Sequence, residues 1–399
     1  MFADRYIQNN VVYPPFIEEK SSALLSMVVV IPCLKEPAII QTLESLWACD
    51  APEAYCEVIV TVNDSEDSSQ QVKDFNLSTY EQLKQWKIND RERLVLLPIY
   101  ASSVNSKSAG AGMARKIGMD EAIRRFNALN KPEGVIVSLD ADCLVSANYL
   151  REIEKQFTTF RSCIGATINF SHRIEETDDK KQQEGIRLYE KHLLYYKQAQ
   201  AFSGYPHAID TIGSAFAVRA EAYVRQGGMN RRQAGEDFYF LHKLTRLGRL
   251  AEITSACVYP SARVSDRVPF GTGAAMNKWM NHHEDLNLTY CFKAFKDLKQ
   301  LFDLTGQLYK ITKAPYAELL NTLPAALQVY LEETSFEEKL TEVKRNSSTL
   351  ESFNKRFFQA FDAFQVMKFL NFAHEKYYSR QPLQEAIEQL NQAFVNQSK

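Results

Sequence analysis

Four apolar runs, three of them followed by helical spacing, restrict what this chain can fold into. Residues 24–31 form such a run, stopped by Pro32, and Ile39, Leu43, Leu46 and Trp47 then share one helical face between positions 38 and 49. A second run at 56–62 ends in Asn63-Asp64-Ser65-Glu66-Asp67-Ser68 and precedes helix-like sequence around 80–86. A third at 94–99 is followed by a long helical stretch over 109–126, and a fourth at 135–139 leads into Asp140-Ala141-Asp142. Strands that are apolar on both faces and alternate with helices predict a mostly parallel sheet flanked by helices, an α/β fold of Rossmann-like type. In such sheets ligands bind beyond the carboxyl ends of the strands, and the polar clusters after runs one, two and four all fall there.

Composition sets the scale. With 399 residues, 45% of them hydrophobic, the chain has material for one large domain and an appendage. A formal net charge of −2 supplies no global basic field, so nucleic acid is not an expected partner. Seven cysteines, an odd number without a Cys-x-x-Cys pair, read as reduced core thiols of a cytoplasmic protein. The N-terminus lacks the pattern of a secretory signal, and no apolar stretch reaches the length of a membrane span.

The chemistry-bearing residues follow the strands. Asp140 and Asp142 stand two apart where a strand leaves the sheet, a spacing expected to aim both carboxylates at one hard cation, Mg²⁺ or Mn²⁺. A bare Asp-x-Asp is also ordinary turn chemistry, and its position after the fourth strand favours the ligand role. The segment 105–115 carries Gly110 and Gly112 into a helix start, with Lys107 and Arg115 available to anions. Arg115 occupies the third glycine position of a dinucleotide fingerprint and the segment follows a later strand, which argues against a dehydrogenase. Further on, Gly235-Glu236-Asp237 opens a helical stretch to Leu244. Its acidic pair suits either the helix dipole or a general base.

In this order the motifs resemble those of the family 2 glycosyltransferases of the GT-A fold, over roughly residues 27–283. The matching elements are Pro32-Cys-Leu-Lys-Glu36, Asn63-Asp64-Ser65, Ala114-Arg115-Lys116, Asp140-Ala-Asp142, Gly213-Ser214 with Gly227-Gly228, and Gly235-Glu236-Asp237. The chain departs from the family pattern at Lys35, Asn63 and Lys116, where asparagine, aspartate and asparagine are usual. The resemblance implies a hexosyltransferase that uses Mn²⁺ or Mg²⁺ and a nucleotide diphosphate sugar. It places Pro32, Glu36, Asn63 and Asp64 around base and ribose, with Lys107 and Arg115 nearby, and Asp140 and Asp142 on ribose and metal. Asp237 becomes the base that activates an acceptor hydroxyl, with inversion, and Glu236 orients acceptor or sugar; the two roles are interchangeable at this stage. Gly213 and Ser214 would line the acceptor, which is a saccharide or a lipid-linked or polymeric molecule. Arg263 and Arg267, in the polar loop at 259–273, would clamp the diphosphate as a lid, and His282 or His283 would add a metal ligand.

The expected organisation is an extension at 1–25, a catalytic domain at 26–285 and a helical region at 286–399. In the last, Phe353, Phe357, Phe361 and Phe364 fall at spacings that predict one aromatic helix face, either for core packing or for a partner or membrane surface, and 344–349 is the expected flexible break. Two other classes fit the same residues: a nucleotidyltransferase, against which the acidic pair and the Gly213-Ser214 segment speak, and a non-catalytic nucleotide-binding scaffold.

Overall fold

The computed structural model describes residues 1–86, 93–106, 109–230, 235–264, 271–311 and 313–397. Two compact units comprise residues 1–183 with 211–277, and 184–210 with 278–399.

The first unit is built on an eight-stranded mixed sheet. Its elements in chain order are α1 (Asp4–Asn10), β1 (Leu25–Cys33), α2 (Ile39–Ala48), β2 (Tyr55–Ser65), α3 (Gln70–Gln85), β3 (Leu94–Val104), α4 (Ala111–Ala128), β4 (Val135–Ser138), β5 (Leu144–Val145), α5 (Tyr149–Thr159), β6 (Gly165–Phe170), β7 (Phe216–Arg219), α7 (Ala220–Arg225), α8 (Glu236–Leu244), β8 (Ala251–Tyr259) and α9 (Thr272–Met280); between β6 and β7 the chain runs through α6 (Lys180–Phe202), which from residue 184 on belongs to the second unit. Strand order is β3-β2-β1-β4-β7-β6-β8-β5. The first four strands are mutually parallel, with Val30 opposite both Ile59 and Ser138. The chain steps outward from β1 to β3 and then returns to place β4 on the other side of β1, so the strand order reverses between β1 and β4. A crevice opens at such a reversal, and the segments after both strands, Lys35–Glu36 and Asp140–Asp142, lie at it. The expected Rossmann-like sheet with flanking helices is the observed one. Its far half is mixed: β7 runs antiparallel to β4 and β6, and β8 parallel to β6.

Helix α4 shows why this unit holds together. It lies against β1 and β2, and nearly all of its residues, Arg115, Lys116, Asp120, Glu121 and Arg125 among them, are buried. The chain before β1 covers its outer face and answers those charges. Tyr6 donates to Asp120 Oδ1 at 2.7 Å, Lys116 pairs with Asp120 at 2.9 Å, and Asn127 Nδ2 reaches Asp4 at 2.7 Å. Arg124 reaches the Tyr13 carbonyl, Arg125 the Glu19 carbonyl at 3.0 Å and the Glu57 carboxylate, and Lys131 the Ala23 carbonyl at 2.7 Å. Gly228 belongs to the same arrangement, because a Cβ there would stand 1.9 Å from the Tyr6 hydroxyl and its φ is +76°. Packing against Tyr6 therefore accounts for this glycine.

The second unit is helical apart from the β9 (Leu288–Thr289) and β10 (Gln381–Pro382) pair, with α10 (Phe292–Asp303), α11 (Thr305–Lys310), α12 (Lys313–Leu320), α13 (Ala325–Glu333), α14 (Phe336–Arg345), α15 (Leu350–Ala360), α16 (Ala363–Lys376) and α17 (Leu383–Gln397). Phe353, Phe357 and Phe361 are fully buried among Phe302, Phe336 and Tyr330. They are core, and the single continuous face expected from their spacing is broken. Phe361 ends α15, Asp362 caps α16 by accepting from the Phe364 and Gln365 amides, and Phe364 belongs to that next helix. The segment at 344–349 is likewise no loose linker: α14 runs to Arg345, and Thr349 with Ser352 forms a capping box on α15.

Candidate functional site

Strand β4 ends at Ser138, two residues before Asp140, so strand alternation does not extend through the Asp-x-Asp. Residues 140–143 form a turn closed by the Cys143 amide on the Asp140 carbonyl at 3.2 Å, with the Thr42 hydroxyl on the Ala141 carbonyl at 2.8 Å. The two carboxylates take different cationic partners, Arg115 for Asp140 and Arg263 for Asp142, and a turn, unlike a strand, does not by itself place residues two apart on one face.

Asp140 points to Arg115, whose Nη2 donates to it at 2.5 Å. Arg115 is 2% exposed and divides its guanidinium among three elements: Asp140 after β4, the Ser138 hydroxyl at 2.9 Å from Nε, and Glu236 at the start of α8 through Nη1. Ser138 in turn donates to the Gly213 carbonyl at 2.7 Å. A Cβ at Gly213 would stand 2.9 Å from Arg115 Nη2 and 3.1 Å from Asp237 Oδ2, so glycine here keeps room for the charges. Ser214 is buried beside it.

Helix α8 starts from Gly235 in the left-handed region, at φ +68°, and its first two residues are the acidic pair. Glu236 is buried and paired with Arg115. Asp237 is half-buried, and its affinity for protons is raised to about 7, first by removal from water and then by the neighbouring Glu236 and Asp140 charges; Arg115 and the Phe238 amide oppose the shift. Burial would lower the proton affinity of the Arg115 guanidinium, and the Asp140, Glu236 and Asp237 carboxylates outweigh it and keep the group charged.

Asp142 points to the other side of the crevice. Its Oδ2 lies 3.6 Å from Arg263 Nη2, and its carbonyl accepts from Arg173 at 2.6 Å. Arg263 forks onto Glu36 at 2.5 and 3.2 Å, and Glu36, 3% exposed, also accepts from the Ala38 amide at 2.9 Å. Pro32 is buried in β1 beneath this group. Beside it, the Lys35 amide donates to Asn76 Oδ1 and Asn76 Nδ2 to the Asn63 carbonyl, both at 2.9 Å. The buried amide oxygen of Asn63 has no hydrogen-bond partner among the described residues. Asp64, equally buried, accepts from the Tyr100 hydroxyl at 2.6 Å and the Ser103 amide at 2.8 Å, and burial together with that carboxylate pushes the Tyr100 phenol up.

The expected residues Pro32, Glu36, Asp140, Asp142, Arg115, Arg263, Gly213, Ser214, Glu236, Asp237, Asn63 and Asp64 thus all belong to the first unit, in two linked groups. Lys107 and Arg267, with much of the expected lid, lie outside the described residues. His282 and His283 belong to the second unit, where both are exposed just past α9. Sequence patterns did not flag Ser138, Tyr100, Asn76 or Arg173. Each carries an ordinary residue type in an ordinary context, and only the sheet brings it to its partner.

Among the described residues no group of three or more His, Cys, Asp and Glu side chains is disposed to hold a metal. Asp140 and Asp142, at 38% and 28% exposure, nevertheless offer hard oxygen donors at the crevice. One or two such carboxylates suffice where the ion also binds ligand phosphates, so the donor set fits Mg²⁺ or Mn²⁺ arriving with an anionic ligand.

No family model and no curated protein matches the chain. Among solved structures it is similar to residues 1–349 of S. aureus TarS, at 13% identity over 89% of this chain and 93% of that one, with a TM-score of 0.39. The same protein in complex with UDP-GlcNAc gives 12%, 84%, 91% and 0.43. Of a longer TarS structure the match spans 55%, with a TM-score of 0.38 and 11% identity over 84% of this chain. The mannosyltransferase PcManGT from Pyrobaculum calidifontis, in complex with GDP-Man and Mn²⁺, gives 15% identity over 94% of this chain and 92% of that one, with a TM-score of 0.39. Similarity at this level does not decide the chemistry of this chain.

Proposed function

We propose that the first unit is a metal-assisted glycosyltransferase of family 2 type, moving a hexosyl group with inversion from a nucleotide diphosphate sugar to an acceptor hydroxyl. The observation that carries this reading is Asp237, a carboxylate raised to about 7 at the start of α8, beside a buried arginine that also holds Asp140 at the crevice. A base poised near neutral pH facing a nucleotide-type crevice suits proton removal from a sugar hydroxyl.

In this reading Asn63 and Asp64 meet the base and ribose, with Pro32 and Glu36 at the floor of the crevice. Asp237 takes the hydroxyl proton as the acceptor oxygen forms its bond to the anomeric carbon, and the bond from that carbon to the diphosphate oxygen breaks on the opposite face. A divalent cation held by Asp142, with Asp140, would neutralise the charge that develops on the departing diphosphate. Arg263, already at Asp142, adds a fixed positive charge to the same end, and Arg267 and Lys107 would join it. The acceptor approaches along Gly213 and Ser214. His282 and His283 have no observation in their support as further ligands.

All seven cysteines are free thiols, which supports a reducing, cytoplasmic location. No helix among the described residues is long and apolar enough to cross a membrane, so a lipid-linked acceptor would be met at the membrane surface.

The test is thermal stabilisation by the diphosphates of uridine, guanosine, thymidine and adenosine, with and without Mn²⁺, on wild type and Asp142→Ala. Metal-dependent stabilisation by one base, lost in Asp142→Ala, is the expected result. Release of free nucleoside diphosphate with the matching sugar nucleotide then separates glycosyl transfer from nucleotidyl transfer, which releases pyrophosphate. Absence of stabilisation by every nucleotide, with or without Mn²⁺, overturns the proposal.

A further inference from the structure

We infer that Arg115 is a positioning residue that couples the sheet-end carboxylate Asp140 to the acidic pair of α8, and not a phosphate ligand as its place at a helix start suggests. The geometry leaves it little else to do. Its side chain is 2% exposed, and its three nitrogens are directed at Asp140, Glu236 and the Ser138 hydroxyl, which lie 25, 121 and 23 residues away in sequence. An arginine fork divided between two acids from different elements fixes their separation as well as neutralising them.

Exposure gives the coupling a direction. Asp140 is 38% exposed and open to a ligand in the crevice, whereas Glu236 is 7% exposed and reached through Arg115. A ligand that draws on Asp140 shifts the share of the guanidinium available to Glu236, and Asp237 follows directly in α8. Gly213 is part of the device, since a side chain there would press on both Arg115 Nη2 and Asp237 Oδ2. Its missing side chain serves this ion cluster.

The structural half of the inference stands alone, while its catalytic half rests on the proposed glycosyl transfer, so two measurements separate them. Thermal midpoints of Asp140→Asn, Glu236→Gln and the double variant are compared in wild type and in Arg115→Met. With Arg115 present the double variant is expected to lose more than the sum of the singles, because the buried guanidinium then has neither acid. With Met at 115 the two effects should add. Additivity in both backgrounds overturns the coupling. Arg115→Met/Glu236→Gln removes opposite charges together and keeps the cycle readable if Arg115→Met alone fails to fold.

The kinetic arm uses Arg115→Lys, which keeps the charge and loses the fork. Nucleotide diphosphate affinity is expected within about threefold of wild type and saturated turnover down about tenfold or more, since a positioning role leaves ground-state binding intact. Weakened nucleotide affinity with unchanged saturated turnover makes Arg115 a phosphate ligand and overturns the assignment. If wild type binds no nucleotide, the proposed function falls while the stability cycle still decides the coupling.

Discussion

At the scale of single residues the site is governed by where charge is buried. Burial first, and then the Glu236 and Asp140 charges, push Asp237 up to about 7 from its ordinary 3.8, against Arg115 and the Phe238 amide. As a base it must be ionised, so the rate is expected to rise with pH through about 7, and Asp237→Asn to lower turnover by about 10²–10⁴-fold. A pH–rate profile whose acid limb lies near pH 4 would remove Asp237 from that role. The same shift has a stability consequence of opposite sense. Between about pH 4 and 7 the folded chain holds a proton that the unfolded chain has released, so this group's contribution to stability falls as pH rises through that window. Asp237→Asn should accordingly raise the thermal midpoint at about pH 8 and not at about pH 4. Gly213→Ala places a methyl against Arg115 and Asp237 and is expected to destabilise by about 1–3 kcal/mol, measured by denaturant titration.

At the scale of elements, α4 is the piece on which the first unit depends. Its helical spacing is plain in the sequence, whereas the burial of its polar residues is not, because the segment that covers them comes from the first 24 residues. Tyr6→Phe removes the hydroxyl that donates to Asp120 and approaches Lys116 at 3.2 Å. A loss of about 1–2 kcal/mol in unfolding free energy is expected, read from the urea midpoint at unchanged slope. A neutral result would mean that Lys116 and the Tyr223 hydroxyl satisfy Asp120 without it. Elsewhere the sequence located α8 well, since an acidic start followed by apolar spacing is a local signal, and it ran the phenylalanines of α15 and α16 together. Helical periodicity passes through Phe361, and the break is made by the Asp362 cap, whose signal is weaker than four aromatics in register.

At the scale of the whole molecule the two units answer acid differently. His192 in the second unit is lowered to about 4 by burial and by Arg380, and His374 is lowered for the same two reasons while its rings of contact include Tyr290 and Tyr378. A histidine kept neutral in the fold is protonated first in the unfolded chain, so its stability contribution is complete above about pH 6.5 and is lost as pH falls toward 4. The second unit should therefore lose amide-exchange protection between about pH 6.5 and 4, while in the first unit the destabilisation by ionised Asp237 is relieved over much of the same range. Protection that changes uniformly across residues 184–210, 278–399 and the remainder would contradict this.

Local pattern was enough to determine the β/α alternation, the polar ends of the strands and the acidic start of α8, because burial on both faces of a strand and one face of a helix imposes a period that can be read residue by residue. It also brought Asp140, Asp142, Glu236 and Asp237 forward through their places along the α/β order, since either pair alone is ordinary turn or helix-start chemistry. Tertiary structure alone decided the antiparallel insertion of β7, the turn in which Asp140 and Asp142 meet different cations, the Tyr100 hydroxyl on Asp64 and the partners of Arg115. These depend on contacts between residues tens to more than a hundred positions apart, and no period within the chain records which strand end a buried guanidinium will face.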